Sequence, residues 1–128
     1  MDPYQYVKKE PYPLYINGKF VPSESGEVFE IVNPANNEVI AQAYKGGLGD
    51  LNKAIFAARQ AFDNGPWGKM TNLQRSQLLL KVRDILARRI EEFSALETLD
   101  CGKIYNGVLY YDAVMALDGF AYGAAKAR

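Results

Sequence analysis

Apolar and polar residues alternate with a period near two from Leu14 to Tyr44, and with a period near 3.6 from Leu51 onward. The chain therefore predicts strands first and helices afterwards. Residues 1–13 fit neither period; with Pro3, Pro11, Pro13 and three tyrosines they read as an extended arm. Asn17-Gly18 separates two short apolar runs, Leu14-Tyr15-Ile16 and Lys19-Phe20-Val21, which is the signature of a two-residue type I′ hairpin. A polar loop leads to Val28–Val32, which stops at Asn33-Pro34 because proline cannot continue a ladder. Ala35-Asn36-Asn37 reverses the chain, Glu38 to Tyr44 resumes as a strand, and Lys45-Gly46-Gly47-Leu48-Gly49 reads as a flexible break.

The helical half has its own punctuation. Asp50 is placed as N-cap of a first helix whose face is Leu51, Ala54, Ile55, Ala58 and Phe62, ended by Asn64-Gly65-Pro66. Thr71-x-x-Gln74 is a capping box opening a second helix. Its apolar face is Leu78, Leu79, Val82, Ile85, Leu86, Ile90, Phe93 and Leu96, with a kink expected near Arg88-Arg89 and Gly102 as the C′ residue. A third helical stretch runs roughly from Val108 to Lys126, weakened by Gly119 and Gly123. Strands followed by helices predict an α+β fold: a hairpin and small antiparallel sheet over 14–44, then three helices over about 50–126. Leu78, Leu79 and Leu80 in succession span more than one face. Either the second helix is sandwiched within its own core, or a partner surface is missing.

Composition narrows the chemistry. The 128 residues are one domain's worth, and 15 basic residues balance 15 acidic ones. No field draws such a chain to nucleic acid, and no apolar run approaches a membrane span. A single cysteine rules out an internal disulfide and suits a reducing compartment; with nothing resembling a leader sequence at Met1 to Tyr15, the expectation is cytoplasmic. Histidine is absent altogether, which removes the commonest activating base and the commonest neutral metal ligand.

Three candidates remain, each weaker than its structural alternative. Gly47-Leu48-Gly49 looks like the start of a dinucleotide fingerprint, but the third glycine position is Asn52 and no second parallel strand follows. Cys101 sits beside Asp100 at the wrong end of a helix for a reactive thiolate, with Lys103 its one cationic neighbour. Tyr105, Tyr110, Tyr111 and Tyr122 suit an interface better than an anchored ligand site. Glu91-Glu92 reads as a solvated pair.

Read together and in order, longer stretches resemble the opening of the aldehyde dehydrogenases. They are Leu14 to Val21, Ile31-Val32-Asn33-Pro34-Ala35, Asn37 to Ala41, Asp50 to Ala54, Ala57 to Phe62, Gly65-Pro66-Trp67, Arg75 with Leu78-Leu79, and Leu96 to Lys103. The resemblance covers residues 14 to about 123. It implies NAD(P)-dependent oxidation of an aldehyde to an acid by the whole enzyme. In that family the nucleophilic cysteine, the general-base glutamate and the coenzyme-binding strands lie C-terminal to the stretch matched. Cys101 stands where the family commonly has Asn, so no catalytic or cofactor-binding residue is assigned and no tight NAD or NADP binding is expected.

The resemblance further implies a monovalent-cation site, carried over onto the carbonyls of Ile31 and Val32 and the carboxylate of Asp100. It also places Leu109 and Ala113 at a substrate-tunnel mouth. The expected partner is the remainder of a parent enzyme, or a second copy. The rival readings are a free-standing scaffold module derived from the family and, last, an independent nucleotide-binding protein.

Overall fold

The computed structural model describes residues 2–128. Four strands come first: β1 (Leu14–Ile16), β2 (Lys19–Val21), β3 (Val28–Asn33) and β4 (Glu38–Tyr44). Helices α1 (Leu48–Asn64), α2 (Asn72–Arg88) and α3 (Ile90–Cys101) follow. A short turn α4 (Tyr105–Gly107) then runs through a π-helical segment, Val108–Asp112, into α5 (Ala113–Lys126). By contacts the chain divides into two compact units: a strand unit of Val7–Val32 with Glu38–Lys69, and a helical unit of residues 2–6, Asn33–Asn37 and Met70–Arg128.

In the strand unit, β1 and β2 pair antiparallel with Leu14 opposite Val21, Tyr15 opposite Phe20 and Ile16 opposite Lys19. Asn17 and Gly18 both have positive φ, 52° and 77°, as the type I′ turn demands. β3 and β4 form a second two-stranded sheet. The arm is not simply extended. Tyr12 adds to this sheet, its N–H donating to the Gln42 carbonyl at 2.8 Å while its own carbonyl accepts from Tyr44 at 3.0 Å.

The helical unit holds the other departure in the arm. Pro3–Tyr6 is a 3₁₀ turn packed on α3. Pro3 supplies a preset φ, and the Asp2 carboxylate accepts from Tyr4 N–H at 3.0 Å. Thr71 and Gln74 form the reciprocal capping box of α2, at 3.2 and 2.8 Å. The long second helix breaks at Arg89 (φ −114°), so one predicted helix is two, α2 and α3. Gly102 ends α3 at φ 66°; a Cβ there would also press within 3.0 Å of Pro34 and Ala35. That turn is braced by the Asn33 side chain, which accepts from Ala35 N–H at 2.9 Å.

α2 packs on α5, with Leu79 against Gly123; on α2 Ser76 is buried and Leu79 and Leu86 are half-buried. Three of the residues expected on its buried face, Leu78, Val82 and Ile85, are instead exposed, because they lie around the helix from the α5 contact. The buried apolar residues are Ala95, Leu99, Val108, Ala113 and Ala124, all in the helical unit. Among the described residues the strand unit buries only Ser23 and Asp50.

Candidate functional site

The glycine loop before α1 has the geometry of a latch. α1 begins at Leu48 with Gly47 as N-cap, so Asp50 is the third helical residue rather than the cap, and Gly49 lies inside the helix. The reason is visible in the hydrogen bonds. The Asp50 carboxylate reaches back to accept from Gly47 N–H at 3.0 Å, satisfying a donor that the helix leaves free. It also accepts from Glu24 N–H, at 3.2 Å to Oδ1 and 3.3 Å to Oδ2, which ties the loop after β2 to the helix. Only 5% of Asp50 is exposed.

Glu24 in turn meets Lys53 at 2.6 Å, and that hydrogen bond, with the Glu24 charge, raises the lysine pKa. A side chain at position 49 would collide with the Glu24 carboxylate. Gly49 therefore has a local explanation. Two carboxylates stand at the helix end where a phosphate would need positive potential.

Cys101, at the end of α3, is exposed. Its thiol pKa is nonetheless raised, first by the partial desolvation its neighbours impose, then by Glu97 and Asp100; Lys103 opposes this more weakly. Lys103 is engaged elsewhere. Its ammonium donates to Asp112 Oδ2 at 2.9 Å and to Glu97 Oε1 at 3.1 Å, bridging α3 to the π-helical segment. Those two hydrogen bonds, Asp112 first, hold the lysine pKa above its ordinary range. With its cationic neighbour so paired, the thiol is set up to stay protonated at neutral pH.

The tunnel-mouth candidates lie on the same segment. Leu109 is half-buried in the π-helical turn, and Ala113 is fully buried at the start of α5. The exposed side of that stretch is Tyr110, Tyr111, Val114 and Met115. The cation candidates fall in different units: Ile31 and Val32 on β3, and Asp100, exposed, on α3. Among the described residues no three acidic or cysteine side chains converge as a metal site.

Each unit has a concave site. A cavity of about 570 Å³ lies in the strand unit, lined by Leu14, Ile16, Leu48, Leu51, Ala54 and the Gly46-Gly47 turn. A smaller one of about 370 Å³ lies at the α2–α3 break beside Tyr6, Arg88, Arg89 and Glu92. Sequence reasoning missed the Glu24–Asp50 latch and the Lys103–Asp112 bridge. The first joins residues 26 apart, for which no sequence signal exists; the second was signalled only by opposite charges nine residues apart.

A sequence model described as the aldehyde dehydrogenase family matches residues 20–128. Aldehyde dehydrogenase family 2 member C4 of Arabidopsis thaliana is 40% identical over 114 residues, which is 89% of this chain and 23% of that protein. The mitochondrial family 2 member B4 of the same plant is 44% identical over 114 residues, again 89% of this chain but 21% of its own length. The NAD+ complex of an aldehyde dehydrogenase from Bacillus cereus superposes with a TM-score of 0.87 at 37% identity, covering 91% of this chain and 24% of that one. The chain thus spans about a quarter of the length of the relatives it matches.

Proposed function

The chain belongs to the aldehyde dehydrogenase family, and from that premise we propose that it is the N-terminal scaffold segment of an enzyme oxidising an aldehyde to its acid with NAD or NADP. Catalysis in this reading belongs to the remainder of the enzyme. The observation that carries it is the unfinished packing of the strand unit. That unit buries no apolar side chain among those described, yet exposes Leu48, Leu51, Ile55, Phe56 and Phe62 along one helix.

The segment itself supplies no activated nucleophile in this reading, because Cys101 is held toward its thiol form. Nor does it hold a nicotinamide coenzyme tightly, since Asp50 and Glu24 stand at the glycine-flanked N-terminus of α1. Among the described residues no helix is long and apolar enough to cross a membrane. The unpaired thiol suits a reducing compartment, the cytoplasm being the simplest.

Complementation tests the proposal. The 128-residue chain is co-expressed with the C-terminal three-quarters of a family relative, and formation of reduced coenzyme is followed with a panel of aldehydes. Activity is expected from the pair and from neither part alone. Turnover by this chain alone, abolished by Cys101→Ser, would overturn the reading.

A further inference from the structure

Asn-Gly occurs three times in the chain, at Asn17-Gly18, Asn64-Gly65 and Asn106-Gly107. The pair carries a chemistry of its own. Glycine leaves its backbone nitrogen sterically open, and that nitrogen can attack the amide carbon of the preceding side chain. The barrier depends on whether the two groups are free of hydrogen bonds and whether the backbone can reach the geometry of the ring that forms. The three sites differ in both.

Asn64 is held twice. Its side-chain amide donates to Gln60 Oε1 at 3.0 Å, and the Gly65 N–H donates to the Ala61 carbonyl at 3.0 Å. Asn106 lies inside the helical turn α4, next to Gly107 and the fully buried Val108, whose N–H donates to the Ile104 carbonyl at 3.1 Å. Ring closure there would unwind the turn. Asn17 is exposed at the tip of the β1–β2 hairpin, and among the described residues no hydrogen bond holds its side chain or the Gly18 N–H. Even a Cβ added at Gly18 would meet nothing.

The backbone of Asn17 also stands closest to the reacting geometry. The ring joins Gly18 N to the Asn17 carbonyl carbon, Cα, Cβ and Cγ. Its planarity sets ψ of an L-residue to about −120°, the value that accompanies φ of about +60° at the first central residue of a type II′ turn. Asn17 already has φ 52°. Rotating the single peptide between Asn17 and Gly18 converts the present I′ turn to II′, and both turns close a two-residue hairpin. That rotation takes Gly18 from φ 77° to a negative φ, which glycine adopts as readily. The pairing of Ile16 with Lys19 is kept.

We propose that Asn17 is a site of spontaneous deamidation in the folded chain, left open by the fold while Asn64 and Asn106 are shielded. Gly18 N bonds to Asn17 Cγ, the Cγ–Nδ2 bond breaks, and the Gly18 proton leaves with that nitrogen as ammonia. Water then opens the succinimide, and nothing is oxidised or reduced. Cleavage between Gly18 N and Cγ gives an aspartate. Cleavage between Gly18 N and the main-chain carbonyl carbon gives an isoaspartate, whose backbone is one methylene longer. In a two-residue loop that extra length shifts Tyr15 against Phe20, whose rings lie 5.0 Å apart. The proposal does not rest on the enzymatic reading above.

Peptide mapping is the test. The folded 128-residue chain is incubated in mildly alkaline buffer and sampled over time, beside the same chain in guanidinium chloride. Trypsin cuts after Lys9, Lys19, Arg59, Lys69, Lys103 and Lys126, which puts each Asn-Gly pair on its own peptide. Mass spectrometry then follows the exchange of –NH2 for –OH in each. In the folded chain Asn17 should convert at least about tenfold faster than Asn64 or Asn106, the factor in rate that one or two hydrogen bonds supply. In denaturant the three should converge to within about threefold, because an open chain gives them one chemistry. Asn17→Gln, whose longer side chain would have to close a six-membered ring, should remove the early ammonia and leave the other two peptides as they were. The proposal is overturned if Asn17 stays intact while the denatured chain converts, or if Asn64 or Asn106 keeps pace with it in the folded chain. A lead for Asn17 that persists undiminished in denaturant would overturn it too, since the preference would then belong to the flanking sequence and not to the fold.

Discussion

The two units of this chain are stabilised in different ways. The helical unit has a conventional, if thin, core in which Ala95, Leu99, Val108, Ala113 and Ala124 are buried. Three of those five are alanine, which makes the core thin, and dispersion adds to what its burial contributes. In the strand unit the buried residues are Ser23 and Asp50, both polar, and the large apolar side chains of α1 face outward. Its geometry is set by a carboxylate gathering backbone N–H groups. Hydrogen bonds of this kind specify a position well and stabilise it modestly. A unit so built has the shape of a fold before it has the core of one, which is why it calls for a covering surface.

The largest test of this contrast is Val108→Asp. A charge placed at a position with 0% exposure should destabilise the helical unit by about 3–5 kcal/mol. Trp67, the single tryptophan, lies in the strand unit, so its fluorescence reports there while far-ultraviolet circular dichroism reports chiefly on the helices. In urea the circular dichroism transition is expected to move further than the fluorescence one. Equal shifts would mean that the units share one cooperative core, and the contrast would fail.

Next in size is Asp50→Ala, which leaves the Gly47 and Glu24 N–H groups without their acceptor. About 1–3 kcal/mol should be lost, seen first in the Trp67 transition. Asp50→Asn, which keeps an acceptor oxygen, should recover part of it. A neutral result would show that the latch is incidental and that the strand unit is held by something else.

The smallest effect is electrostatic and belongs to the helical unit. Cys101 should alkylate with a midpoint above the ordinary thiol range, because desolvation and Glu97 raise its pKa. Glu97→Gln should lower that midpoint and speed alkylation by iodoacetamide at mildly alkaline pH. The same substitution removes one partner of Lys103. With a folded pKa above the unfolded one, Lys103 contributes its full stabilisation below the ordinary lysine pKa and loses it as pH rises through the folded value. The variant should therefore differ from the parent across neutral pH, with the difference closing only at strongly alkaline pH. Alkylation rates unchanged by Glu97→Gln would remove the carboxylate as a cause.

Much of the fold was legible because its signals are short in sequence. Asn17-Gly18 needs only its own backbone to specify a type I′ turn, Thr71 and Gln74 cap each other three residues apart, and Gly102 ends α3 by adopting a positive φ. The break at Arg88-Arg89 and the order of strands before helices follow from the same local chemistry, as does the family, whose motifs are runs of adjacent residues. Tertiary structure decided the rest. Periodicity says which residues share a face but not whether another element arrives to cover it. Leu79 met Gly123 of α5, while Leu78, Val82 and Ile85 on the same helix as Leu79 stayed exposed. Asp50 read as a cap because capping is local; it became a latch because Glu24, 26 residues away, folds back onto it. The 3₁₀ turn of the arm and the π-helical segment over Val108–Asp112 likewise depend on α3 packing beside them. Hydrogen bonds within one turn are set by neighbours along the chain, and those across 26 residues exist only once the chain has closed the loop between them.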